Sequence, residues 1–228
     1  MTPFRLASGR DVPINLRRHK SARRFVLRVS GGSIHLTIPT RARAAAALNW
    51  LEQQRGFIES ELRGIPDLVP FSLGNELPVL GRTRRITAGG PRGGALKDNA
   101  LALHETDPAR IPAATERLIR RVVREECEQQ IAWFWRALDV PDASVSIRQM
   151  RRRWGSCAVD GSTTFNWRLA FAPSDVLSYV IAHEAAHRIE MNHGPRFWAL
   201  VEQIYPGFEA PSLWLKDNGE SLFVYGTV

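Results

Sequence analysis

The rhythm of apolar and polar positions changes several times along this chain, and the changes divide it. Residues 25–29 (Phe-Val-Leu-Arg-Val) and 33–38 (Ser-Ile-His-Leu-Thr-Ile) are short runs rich in β-formers, the second strictly alternating. They meet at Gly31-Gly32, which predicts a β-hairpin. After Pro39-Thr40, the residues Ala44, Ala47, Leu48, Leu51, Ile58 and Leu62 recur at helical spacing, predicting a helix that ends near 62. From 64 to 112 short apolar pieces (77–80, 85–87, 100–103) alternate with Gly and Pro, the pattern of small strands in a sheet or partial barrel.

The second half is more strongly periodic. Residues 113–138 form an amphipathic helix, with Ile119, Val122, Val123, Cys127, Ile131, Phe134 and Leu138 on one face and Arg117, Arg120, Arg121 and Arg124 on another. Strands are expected at 144–149 and 163–170. Ser174 and Asp175 can cap a helix running from about Val176 to Met191, which Asn192-His193-Gly194 breaks. Pro195 suits the first turn of the next helix, whose apolar side is Phe197, Leu200, Val201 and Ile204. The last stretch reads as a short tail packed by Leu213, Trp214 and Phe223. We therefore expect an α+β protein with a β-rich N-terminal region carrying one helix (1–112) and a compact core (113–228).

Composition narrows the class. With 44% hydrophobic and 24% charged residues over 228 positions, the chain can bury a sizeable core. It shows no apolar segment of signal-peptide length at Met1–Asp11 and no run of about 20 apolar residues, so a cytoplasmic protein with no membrane partner is the expectation. The two cysteines, Cys127 and Cys157, are too few for a cysteine-based metal site. Cys157 lacks the His and Asn spacing of a thiol nucleophile and reads as a packed residue, as do Trp154, Trp167 and Trp198. The net charge is +8, with 28 of the 31 basic residues arginine. Nucleic acid is a possible partner on that ground, although the arginines are spread along the whole sequence.

One segment carries chemistry. His183-Glu184-Ala185-Ala186-His187 reads H-E-x-x-H within the predicted helix. Histidines four apart share a helix face and can grip one ion, and a glutamate beside them can take a proton from water. A catalytic zinc usually has three protein ligands. Glu190 lies about 10 Å along a straight helix from His183 and could not reach the ion. His193 sits where Asn192 and Gly194 let the chain turn back, and is the third ligand we choose; its alternative role is a helix C-terminal cap. Tyr179 and Arg196 are candidates for a second oxyanion donor, but no spacing singles either out and each also reads as a surface or packing residue.

These residues carry a resemblance. Arg153-Trp-Gly-Ser-Cys157, Thr164-Phe-Asn-Trp-Arg-Leu169, Ala172-Pro173, Tyr179-Val-Ile-Ala-His-Glu-Ala-Ala-His187 and Asn192-His-Gly-Pro-Arg-Phe-Trp198 occur in the order found in the YgjP-like metallopeptidases, relatives of the SprT-like and WLM-type zinc proteases. The match is specific over about 144–204. It is weaker in the N-terminal half, where an Arg-rich hairpin, Leu73-Gly74 and Leu77-Pro-Val-Leu-Gly81 agree with the family. At Ala185, relatives often carry a larger apolar residue. The resemblance implies zinc on His183, His187 and His193, Glu184 as catalytic acid/base, and a gluzincin-like core. In that core a small antiparallel sheet packs on the motif helix, and the 163–169 strand lies beside the cleft, where a peptide could add to the sheet edge. The leading reading is thus a zinc-dependent peptidase acting on protein or peptide. Beside it stand a DNA-associated protease of the SprT-like kind and a non-catalytic zinc-binding module. Oligomeric state is open.

Overall fold

The computed structural model describes residues 3–226. The chain is α+β, with four small sheets and six α-helices among the described residues. It separates into two compact units, residues 3–69 and 70–226, so the anticipated boundary at 112/113 falls inside the second unit. No described helix is long and apolar enough to cross a membrane.

In the first unit, β1 (Phe4–Arg5) pairs with β2 (Asp11–Val12). A three-stranded sheet follows from β3 (Ile14–His19), β4 (Val26–Ser30) and β5 (Ser33–Pro39), ordered β3-β5-β4. The β4–β5 hairpin forms as its pattern predicted, and Gly31 and Gly32 adopt φ of 56° and 68°. Two consecutive positive φ values are what a two-residue type I′ turn demands. The predicted 40–62 helix is two helices, α1 (Ala44–Gln53) and α2 (Arg55–Glu61), with Gln54 outside helical geometry between them. The apolar spacing continues across the break because both helices cover one core, built from Ile34, Leu36 and Ile38 below and Ala47, Leu51 and Ile58 above.

The second unit begins with β6 (Glu76–Val79), β7 (Arg82–Thr87), β8 (Ala95–Leu96) and β9 (Ala100–Ala102), an open sheet ordered β6-β7-β9-β8. α3 (Ile111–Ala137) matches its predicted span closely. Then come β10 (Val145–Arg148), β11 (Gly155–Cys157) and β12 (Thr163–Asn166), ordered β10-β12-β11. This sheet is mixed rather than wholly antiparallel: β11 runs antiparallel to β12, and β10 parallel. The 163–169 run was expected at the edge by the cleft. Instead β12 is central, and β10 and β11 are the two edge strands.

α4 (Ser174–Ala186) packs against α3, β11, α5 (Pro195–Ile204) and α6 (Glu209–Asn218). Val176, Leu177, Tyr179, Val180, Ile181, Ala182, Ala185 and Ala186 are all buried, so the helix is enclosed on every side. Small residues at 185 and 186 suit that crowding. The expected tail is the helix α6 followed by a 3₁₀ segment, Gly219–Val224. Leu213 is 57% exposed, while Leu215 and Leu222 are buried. Two positions round a helix is about 200°, which turns Leu213 away from the face that Leu215 buries.

Arg168 anchors this C-terminal segment. It is fully buried, donates through Nη1 to the carbonyls of Leu222 and Tyr225, and lies 4.6 Å from the Trp167 ring. Burial pulls its pKa down to about 10, against the opposing influence of Glu116.

Candidate metal centre and active site

His183 and Glu184 occupy the last turn of α4, and His187 caps it. The helix stops earlier than its pattern suggested. Arg188 and Ile189 donate their N–H groups to the carbonyls of Ala185 and Ala186, the tighter bonding of a terminal turn. The chain then reverses at Asn192–Gly194, where the Gly194 N–H meets the Asn192 carbonyl at 2.7 Å across His193. Pro195 starts α5 in the first-turn position, as anticipated.

This reversal brings His193 back to the helix. Its Nε2 lies 3.0 Å from Nε2 of His183, and the three histidines offer ligand atoms within 4.8 Å of one another. Nitrogens each about 2.05 Å from a tetrahedral zinc would sit about 3.3 Å apart. The triad therefore fits one ion, and the carboxylate of Glu190 is not part of it. Glu190 contributes its backbone instead: its carbonyl lies 3.1 Å from His187 Nδ1. With the proton on Nδ1 donated there, Nε2 of His187 is left as a lone-pair donor. His183 Nδ1 is buried without a partner.

Phe197 is the platform under the triad. It is fully buried, and its ring centroid lies 4.8, 4.6 and 4.7 Å from those of His183, His187 and His193. Sequence periodicity identified Phe197 as a core residue of α5 but could not show that it touches all three imidazoles. Burial, followed by the neighbouring histidines, pulls His183 down to about 3. Burial also lowers His187, although the Glu190 carbonyl opposes the shift. Neutral imidazoles are the form a metal requires.

Glu184 points from the other side of the helix end. Burial pushes its carboxyl up to about 8, opposed by the charge of Arg153 and by a hydrogen bond from the Cys157 backbone. Its Oε2 is buried with no partner. The side chain lies flat on β11: a Cβ at Gly155 would stand 2.4 Å from Glu184 Oε1 and 2.6 Å from Cγ. Gly155 has no positive φ, so it is space, not backbone geometry, that calls for glycine. Arg153, Gly155, Ser156, Cys157 and Met191 line a cleft of about 280 Å³ with the three histidines and Glu184.

The other sequence candidates fall elsewhere. The Tyr179 hydroxyl bonds Ser212 and its ring stacks on Phe208, a packing role. Arg196 is exposed and does not line the cleft; Arg153 does. Cys157 is half-buried, its thiol pKa raised by burial and its Sγ 3.5 Å from the Ala158 carbonyl, so it is not a ready thiolate. Trp167 is core, whereas Trp154 and Trp198 are half-buried.

Comparison with known proteins adds an independent finding. The family model described as YgjP-like, metallopeptidase domain, matches residues 23–218. No curated protein matches the chain. Among solved structures, the metallopeptidase zymogen jannalysin of Methanocaldococcus jannaschii is 19% identical, with 41% of this chain and 94% of that chain covered at a TM-score of 0.36. The metallopeptidase zymogen abylysin of Pyrococcus abyssi is 20% identical, with 45% and 99% covered at a TM-score of 0.37.

Proposed function

This chain belongs to the YgjP-like metallopeptidase family, and from that premise we propose that it is a zinc-dependent peptidase whose ligands are His183, His187 and His193 and whose general base is Glu184. Membership makes it a metal-requiring hydrolase of protein or peptide substrates. The residue roles rest on one observation: three imidazoles converge within 4.8 Å beside a buried carboxyl that β11 holds in place.

The chemistry that a bound zinc supplies is Lewis acidity toward water and the scissile carbonyl. The chain supplies the rest. A carboxyl oxygen of Glu184 takes a proton from the attacking water and delivers it to the departing amine nitrogen. An extended peptide can lie along β11, the edge strand whose residues line the cleft, with backbone hydrogen bonds fixing its register. Arg153 provides a cation in the cleft for charge developing on the substrate carbonyl.

A purely structural zinc would need a fourth protein ligand and no buried acid. Here the cleft leaves one side of the triad open and Glu184 carries an unpaired buried oxygen. The DNA-associated reading drew on the net charge of +8 and on the arginines of α3. Three of the four, Arg120, Arg121 and Arg124, pair with Glu116, Glu125 and Glu128 one turn along the helix, which compensates that face internally. The test is reconstitution. Metal-free protein should regain hydrolysis of a mixed peptide pool on adding one equivalent of zinc, and His193→Ala should not. Full activity without metal, or a fully active His193→Ala protein, would overturn the assignment.

A further inference from the structure

The charge of +8 is unevenly shared. Residues 1–69 hold 12 Lys and Arg against 5 Asp and Glu, a balance of +7, whereas residues 70–228 hold 19 against 18, a balance of +1. The even spread of arginines expected from the sequence hides where the acids are. Between Val12 and Leu51 there is no acidic residue and there are eight basic ones, all exposed. None of these eight joins an ion pair among the described residues.

Register places part of this charge on one surface. Asn15 pairs across β5 with His35 and on to Arg28, and Arg17 pairs with Thr37 and on to Val26. These positions alternate with Leu16, Leu27, Ile34, Leu36 and Ile38, which face the core of the unit, so they form the opposite face of the sheet. Beside β4 runs a groove of about 640 Å³ lined by Arg24, Phe25, Val26, Trp50 and Phe57. Phe25 and Trp50 have centroids 5.6 Å apart, and Phe57 is 47% exposed.

We propose that the N-terminal unit binds single-stranded nucleic acid, with phosphates on the arginine face of β3 and β4 and bases in the aromatic groove. A segment that carries eight cations and no carboxylate of its own suits a polyanion. Seven of the eight cations are arginine, whose planar fork matches phosphate oxygens. Aromatic rings in a groove offer every base a stacking face, and only unpaired bases can be splayed into it. Phe25 and Trp50 are half-buried in the groove and Phe57 is exposed at it, an arrangement that offers stacking faces to single bases. This inference is independent of the peptidase assignment.

The test is anisotropy with the full chain and a labelled oligothymidylate of about 20 nucleotides, titrated in salt from about 50 to 200 mM. Binding should weaken steeply with salt. Neutralising Arg17, Arg24 and Arg28 to alanine together should cost at least about tenfold and flatten the slope of log affinity against log salt by about 2. Phe57→Ala should cost about tenfold with the slope unchanged, because stacking releases no counterions. All four side chains are exposed, so folding is not at stake. The proposal is overturned by absent binding at low salt, by tighter binding to a duplex of equal length, by undiminished affinity in the triple variant, or by capture on phosphatidylserine vesicles without oligothymidylate binding.

Discussion

Gly155→Ala would place a methyl carbon 2.4 Å from Glu184 Oε1, where ordinary contact begins at 3.4 Å. The carboxyl must then retreat by about 1 Å, and a displacement of that size at a reacting group costs about 10²-fold in rate. The helix cannot move in its place, because α4 is enclosed by α3, β11, α5 and α6. The added carbon should also lower stability by about 1–3 kcal/mol through overpacking. Its distances are to Glu184, so the histidine triad should keep its metal. The assay is kcat/KM on a quenched fluorogenic peptide pool, with zinc content and thermal unfolding measured on the same preparation. A drop of about 10²-fold in kcat/KM with zinc retained supports the reasoning. A Gly155→Ala protein with wild-type kcat/KM would refute it, since Glu184 would then tolerate the displacement or not take part.

Other consequences follow from the same geometry. In metal-free protein, His183 has a folded pKa near 3, below its ordinary value of 6.5. The unfolded chain binds the extra proton between those values, so stability present above pH 6.5 is lost as pH falls, at up to about 1.4 kcal/mol per pH unit. Glu184, raised to about 8, acts in the opposite sense over the same range, so the test uses metal-free Glu184→Gln protein, in which a flat profile of denaturation midpoint between pH 7 and 5 would contradict this. Arg168→Leu removes the buried donor to the Leu222 and Tyr225 carbonyls and should cost about 2–3 kcal/mol in chemical denaturation, with faster hydrogen exchange in 219–225. Phe197→Leu keeps the core apolar but removes the ring beneath all three imidazoles, and should weaken zinc affinity by about 10- to 100-fold, as loss of an orienting contact does, read by competition with a chelator.

The proposed ligand histidines, which the structure brings together, could be picked out from the sequence because the information is local. Four-residue spacing puts His183 and His187 on one face, and an Asn-His-Gly break turns the chain back within six residues of His187. Glu190 was set aside because a straight helix would carry it out of reach, and the helix proves shorter than that premise assumed. The helix ends at Ala186, and it is the Glu190 carbonyl that enters the site. What stayed hidden is tertiary. Gly155 is 29 positions from Glu184, and nothing in Trp-Gly-Ser-Cys says that its missing Cβ leaves room for a carboxylate. The strand at β11 was missed because three residues are too few for a period to show. β3 carries Ile14-Asn-Leu-Arg-Arg-His, in which alternation fails after Leu16, so only its parallel pairing with β5 reveals it. α6 was read as a tail because Pro211 and Asp217 interrupt its apolar positions and Gly207 and Gly219 flank it.

The central claim is that one ion sits on His183, His187 and His193 while Glu184 moves the proton. Glu184→Gln isolates the second half of it, since the amide preserves shape and removes the base. Zinc stoichiometry and peptide turnover on that one protein decide the matter. The account predicts about one zinc per chain, as in wild type, with hydrolysis lost. A Glu184→Gln protein that turns over peptide at the wild-type rate would contradict it.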